Sequence, residues 1–275
     1  MGETRKLKWV IVCSLNDPAG TNIKERLTEN FPFQETGDIF DSSPVYCWGN
    51  KLLVSSHKDI VYVDDLDNKF TDSIYIFISR HRAESGIPSL TAHFVGNFGD
   101  AVFGGNPSEI GRYSPGVLKN YYITLNSLRK EIPSTYNITL EATHHGPTSL
   151  MGSVLFVELG SSERQWGDRE AANIISKALI SSLEMTTKYD RCAIGVGGTH
   201  YPEKFNRLLL NSDIALGPII PKHSLEYFDQ KLLVQILEKS DQMINLALVD
   251  YKGLGKFKDS VMAILKEFDL EIVRV

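Results

Sequence analysis

Apolar runs and amphipathic stretches take turns along this chain, and their order predicts its elements. Residues 7–13 form a compact apolar run, and Asp17-Pro18 supplies an N-cap and first-turn proline for a helix reaching about residue 30. Residues 74–79 are continuously apolar, the pattern of a strand covered on both faces. Residues 90–95 alternate, so that Thr91, His93 and Val95 share one side. Ser114-Pro115-Gly116 opens a helix to about residue 130, with Val117, Tyr121, Leu125 and Leu128 at helical spacing. Strands are predicted over 138–143 and 154–159, and a helix over 168–183 carries Ala172, Ile175, Leu179 and Ile180 as its buried stripe. The remainder reads as strand 191–196, helix 205–210, strand 214–220, helix 225–239, strand 244–249, helix 256–268 and strand 271–275.

This β-α alternation predicts an α/β class protein: a three-layer α/β/α arrangement around a mostly parallel mixed sheet. Residues 33–70 depart from it, with short strand-like segments at 39–41, 45–48, 52–55 and 60–63 that predict a β-rich elaboration. No repeat or low-complexity linker divides the chain, so residues 1–275 are expected to form a single domain. With 42% hydrophobic and 23% charged residues, packed structure is expected throughout rather than tails. No apolar run approaches the roughly 20 residues of a membrane span, and the N-terminus lacks a signal-peptide core, so a cytoplasmic location is expected. Cys13, Cys47 and Cys192 are far apart and form no Cys-x-x-Cys, which argues against a disulfide framework and a thiolate zinc site. A net charge of -5 argues against broad nucleic-acid coating but leaves room for a local basic face.

The candidate chemistry gathers at strand ends. Five of the 7 histidines, His81, His93, His144, His145 and His200, fall at or just past predicted strands. Glu158 is a lone carboxylate among Leu155, Phe156, Val157 and Leu159. It must be paired, protonated or bound to a cation, because burying it bare costs several kcal/mol or more. Imidazole and carboxylate without thiolate form a hydrolytic zinc ligand set, and the absence of His-Glu-x-x-His means that separate strands must assemble it. A metal-free rival uses one histidine as general base and glycine-loop N–H groups as oxyanion donors. The glycine-rich segment 96–107 lacks the Gly-Lys-Ser/Thr of a Walker A loop, and His200 takes the third glycine position of any dinucleotide fingerprint starting at Gly195.

Five blocks carry a family resemblance: Ile78-Ser79-Arg80-His81-Arg82-Ala83-Glu84-Ser85, Leu90-Thr91-Ala92-His93-Phe94-Val95-Gly96-Asn97, Glu141-Ala142-Thr143-His144-His145-Gly146-Pro147-Thr148, Phe156-Val157-Glu158-Leu159-Gly160-Ser161-Ser162 and Gly195-Val196-Gly197-Gly198-Thr199-His200-Tyr201. In this order they resemble the D-aminoacyl-tRNA deacylases of the archaeal and plant type. The resemblance implies a phosphorylase/hydrolase-like fold related to peptidyl-tRNA hydrolase. It also implies a monomeric zinc enzyme with two ions per subunit, acting on a tRNA acceptor end that carries a D-amino acid, with no membrane and no obligate protein partner. On that basis His144, His145, Glu158 and His200 are expected around metal, and His93 and His81 in catalysis, with His93 as base or water-orienting group. Arg80 and Arg82 are expected at the terminal phosphates, and Asn97, Gly197, Gly198 and Thr199 against substrate. Two rivals stand beside this reading: a metallohydrolase of the peptidyl-tRNA hydrolase kind, and a non-catalytic tRNA-end binding protein.

Overall fold

The computed structural model describes residues 8–275. The chain runs β1 (Lys8–Ser14), α1 (Pro18–Asn30), β2 (Gln34–Phe40), β3 (Ser43–Trp48), β4 (Lys51–Ser56), β5 (Ser73–Arg82), β6 (Ser89–His93), β7 (Gly96–Asn97), β8 (Glu109–Ile110), α2 (Pro115–Ser127), β9 (Asn137–Leu140) and β10 (Val154–Ser161). It continues with α3 (Glu163–Trp166), α4 (Arg169–Leu183), β11 (Cys192–Val196), α5 (Glu203–Asn211), β12 (Ala215–Ile220), α6 (Gln230–Glu238), β13 (Leu246–Val249), α7 (Lys258–Lys266) and β14 (Glu271–Arg274).

The strands form two main sheets where the sequence pattern predicts one. The larger has the order β2-β3-β4-β1-β5-β10-β6-β9, and the smaller β12-β11-β13-β14. In the larger sheet β4, β1, β5 and β10 run parallel, β6 runs antiparallel to β10, and β2 and β3 add an antiparallel edge. All pairings in the smaller sheet are parallel. Periodicity reports that a stretch is a strand and not which strand it pairs with, so the division is invisible to it.

Alternation along the strands sends each side chain to one of two cores. Ile11, Cys13, Ile76, Ile78, Leu155 and Val157 join one cluster with buried residues of α1, α2 and α4 and of the smaller sheet. Val10, Val12, Tyr75, Phe77 and Phe156 face the other way, against Val45, Val63, Leu66 and Phe70. The elaboration at 33–70 therefore seals the second face. Within it, residues 60–63 are not a strand but a 3-10 turn, Ile60–Tyr62. Ile60 and Val63, three residues apart, pack inward while Tyr62 stays outside. The predicted helix over 225–239 is likewise split, into a 3-10 turn (Lys222–Tyr227) and α6, whose N-cap Asp229 accepts from Leu232 N at 2.8 Å.

The first helix is pinned close to the sheet. Asp17 Oδ1 caps it through Gly20 N at 2.8 Å, and Oδ2 accepts from Arg80 N at 3.0 Å. A β-carbon at Gly20 would lie 2.6 Å from Ile78 O, so glycine is what lets α1 approach β5. No helix among the described residues is long and apolar enough to cross a membrane.

Candidate active site

Towards the C-terminal end of β5 and β10 the inward-facing row changes from apolar to polar. Register sets Ser79 beside Glu158, and Glu158 beside Thr91 on β6. Ser79 Oγ donates to Glu158 Oε1 at 2.7 Å, and Thr91 Oγ1 donates to Oε2 at 3.2 Å. The same row continues to His81 on β5 and His93 on β6, both buried. The lone carboxylate in the apolar run is thus paired, as its burial requires.

The chain leaving β9 brings the second half of the site. Residues 141–143 are not the strand continuation that the apolar pattern predicts; they cross to the smaller sheet. Ala142 N donates to His200 O at 2.8 Å, Thr143 N to Ile219 O at 3.0 Å, and Ile219 N back to Thr143 Oγ1 at 3.0 Å. This stitched segment delivers Glu141, His144 and His145 between the two sheets. His145 has φ +45°, a left-handed conformation costly for a side chain with a β-carbon, and Gly96 N holds its carbonyl at 2.8 Å.

Three imidazoles are oriented alike. His93 Nδ1 lies 3.1 Å from Phe94 O, His144 Nδ1 2.8 Å from Ala142 O, and His145 Nδ1 2.7 Å from Gly146 O. A carbonyl can only accept, so each Nδ1 carries the proton and each Nε2 presents a lone pair. Ligand atoms of these three residues lie within 4.8 Å of one another, as do those of Glu141, His144 and His200, and of His81, Glu141 and Glu158. The groupings overlap through His144 and Glu141. His93 Nε2 is buried without a hydrogen-bond partner, the condition expected of an atom meant for a cation, and Glu141 Oε1 faces the His81 ring nitrogen at 3.0 Å. The residues present therefore fit a divalent metal of the nitrogen and oxygen type.

Electrostatics sort the groups. Burial lowers the pKa of His144 well below the ordinary value, and the neighbouring His93 and His145 add to it. Burial, then His93, lowers His145 to about 4. Both rings are therefore neutral at neutral pH, the form a metal would require of them. Burial opposes charge on His81, but Glu141 and Glu158 outweigh it and push its pKa up to about 10. Burial is likewise outweighed at His93, chiefly by Glu158, which raises its pKa. Glu141 and Glu158 stay ionised: burial raises them, yet His200 and His81 hold Glu141, and His81 and His93 hold Glu158, below the usual carboxylate range.

Glu141, His144, His145, Glu158 and His200 open onto a cleft of about 1200 Å³, whose wall also includes Arg80, Arg82 and Trp166. The Arg80 guanidinium lies over the Trp166 ring at 5.7 Å.

A family model described as D-aminoacyl-tRNA deacylase matches residues 69–273, which include every one of these side chains. The chain belongs to the D-aminoacyl-tRNA deacylase family. A member from Thermococcus onnurineus is 34% identical over 274 residues, covering 96% of this chain and 99% of that one. One from Cenarchaeum symbiosum is 35% identical over 271 residues, covering 96% and 98%. The crystal structure of a conserved protein of unknown function superposes with a TM-score of 0.90 at 29% identity, over 98% of this chain and 95% of that one. The family's mixed α/β fold is thus shared over nearly the whole chain.

The structure brings His81, His93, His144, His145, Glu158 and His200 together, with Arg80 and Arg82 on the same cleft. It groups them differently from the sequence expectation, with His93 beside His144 and His145, and Glu158 beside His81. Asn97, Gly197, Gly198 and Thr199 stand apart from the cleft lining. Asn97 is buried, and its amide donates to Gly104 O at 2.9 Å and Asn106 O at 3.2 Å. Gly197 and Gly198 have φ +89° and +86° and turn the chain after β11, while Thr199 Oγ1 donates to Tyr201 O at 2.7 Å. Sequence reasoning did not assign Glu141 or Tyr201. Glu141 Oε2 lies 2.8 Å from His200 Nε2, and the Tyr201 hydroxyl lies 3.1 Å from His81 Nε2. The signal for Glu141 was present in its position, a charge closing an apolar strand just before two histidines.

Proposed function

We propose that this chain hydrolyses the ester joining a D-amino acid to the terminal ribose of tRNA, releasing free D-amino acid and reusable tRNA as a chiral proofreading step in translation. The observation that carries the reading is the trio His93, His144 and His145. All three have Nδ1 on a backbone carbonyl and ligand atoms within 4.8 Å of one another, and His144 and His145 line a cleft of about 1200 Å³ in a chain of the deacylase family. The names of the relatives give the substrate, and the cluster gives the chemistry.

In this reading zinc would be held by His93, His144 and His145 or by Glu141, His144 and His200, and His144, with one lone pair free, would serve one ion only. When bound, zinc supplies a water whose pKa falls from about 9 to about 7, and it polarises the ester carbonyl. Glu158, fixed by Ser79 and Thr91, holds His81 and His93 in place from beneath. His81 lies 3.0 Å from Glu141 and 3.1 Å from the Tyr201 hydroxyl, so its role is to orient these two groups rather than to take a proton. Arg80 and Arg82 meet the phosphates next to the scissile ester, where point charges position the substrate without reading its sequence. Chirality is enforced where the amino group and α-carbon are fixed, by steric exclusion of the L side chain. The same reading has the enzyme act as a monomer, on a cytoplasmic substrate.

The test is release of labelled amino acid from matched D- and L-tyrosyl-tRNA, with chelator and then with added zinc. Turnover of the D ester alone, lost with chelator and restored by zinc, is expected. D-selective turnover indifferent to an effective chelator removes the metal from the reading, and no D-selective turnover by folded protein removes the function.

A further inference from the structure

One wall of the cleft is aromatic and serves none of the roles above. Phe103 lines the cleft from the tip of the glycine-rich segment between β7 and β8 and is 66% exposed. Tyr62, on the turn after β4, lines the same cleft at 50% exposure. Large apolar side chains left in water at the mouth of a polar site mark a binding surface.

This wall is held rigidly. Phe103 O accepts from Gly146 N at 2.9 Å, Asn97 Nδ2 donates to Gly104 O at 2.9 Å, and Thr148 Oγ1 accepts from Asn106 N at 2.9 Å. Gly104 and Gly105 have φ +69° and +73°, and a β-carbon at Gly104 would meet Val61 O at 2.2 Å, so the segment is seated on the turn that carries Tyr62. Gly146 follows His145 directly, and the ring is therefore built onto the same turn as a metal-ligating imidazole. Asn97 acts at one remove, by fixing the segment that presents Phe103.

We infer that Phe103, flanked by Tyr62, is the stacking platform for the 3′-terminal adenine of the tRNA, an inference that rests on the deacylase reading. A fixed wall is useful only against a part that every substrate shares. The D side chain differs from one substrate to the next, whereas the terminal adenine does not. An unpaired terminal base is recognised by stacking on an aromatic face, while Arg80 and Arg82 on the same cleft are available to the phosphates.

The experiment compares Phe103→Leu, Phe103→Ala and Phe103→Trp with wild type in steady-state hydrolysis of D-tyrosyl-tRNA and D-alanyl-tRNA. Phe103→Leu and Phe103→Ala should raise KM roughly ten- to a hundredfold, the worth of one stacked base, with kcat little changed. The rise should be equal for the two amino acids, and Phe103→Trp should keep KM near the wild-type value. Thermal midpoints should be unmoved, because an exposed side chain is being exchanged. An active wild type whose Leu variant keeps its KM overturns the platform. So does a KM rise confined to D-tyrosyl-tRNA, which would assign Phe103 to the amino acid side chain. A wild type without D-selective turnover fails at the underlying reading instead, and the platform falls with it.

Discussion

Replacing His145 by glycine and by alanine should give two inactive proteins, with the glycine variant the more stable. At φ +45° a residue with a β-carbon bears about 1–2 kcal/mol of backbone strain that glycine escapes. Both variants lose the same contacts: the ring against Phe156 at 4.7 Å, the ring against His93 at 4.8 Å, and the Nδ1 bond to Gly146 O. Those losses cancel in the comparison. Glycine gives back about 0.5–1 kcal/mol through its greater freedom in the unfolded chain. At mid-range values what remains is about 0.75 kcal/mol in favour of glycine, about three- to fourfold in the unfolding equilibrium. Urea unfolding of both variants in excess chelator isolates it, since metal linkage would otherwise add its own stabilisation. Activity of both should fall by more than about a hundredfold, because even outer partners of metal ligands cost ten- to a hundredfold. An alanine variant as stable as the glycine variant, or more so, would refute the view that His145 is held in a strained backbone for the sake of its ring.

Three further outcomes are expected. Glu141→Gln should weaken zinc binding roughly ten- to a hundredfold in competition with a chromophoric chelator, because Glu141 touches His81 and His200 and belongs to two of the ligand groupings; unchanged affinity would count against it. Gly160→Ala should cut activity at least about tenfold while far-UV circular dichroism is kept, since its β-carbon would sit 2.2 Å from His81 O and must displace that strand end. Burial raises the pKa of Glu109, but hydrogen bonds from Thr148, Lys239 and Asn106 outweigh it and hold it below the usual range. Its contribution to stability is therefore present above the ordinary carboxylate pKa and lost as pH falls through the lowered one, so wild type and Glu109→Gln should converge in thermal midpoint on acidification; a gap that widens instead would reverse the sign.

The chemistry was more legible in the sequence than the architecture. Glu158 was marked by its apolar neighbours, because a charge in a covered strand has few physical options. His81, His93 and His200 were marked by standing where strands end. Glu141 escaped notice because a carboxylate at a strand terminus usually reaches water. Here the chain turns into the second sheet instead, and Glu141 is 3% exposed. Asn97, Gly197 and Gly198 lie outside the cleft lining, and glycine-rich runs look alike in sequence whether they cradle a ligand or turn a corner. Ile60 to Val63 were misjudged because four apolar residues in a row suit a strand and a 3-10 turn equally well.

The hydrogen bonds from Ala142 to His200 and between Thr143 and Ile219 make the catalytic segment a seam between two separately built sheets. His93 and Glu158 belong to one side of that seam and His200 to the other. In the proposed reading, an ion held by Glu141, His144 and His200 would cross-link the stitched segment to the smaller sheet's side as well as serve the chemistry. In that reading, loosening the smaller sheet would part His200 from Glu141 and His144 without altering any ligand, and a bound ion would lend its binding free energy to keeping them joined. In the proposed reading, cohesion of this seam and competence of the site would be one equilibrium seen from two ends.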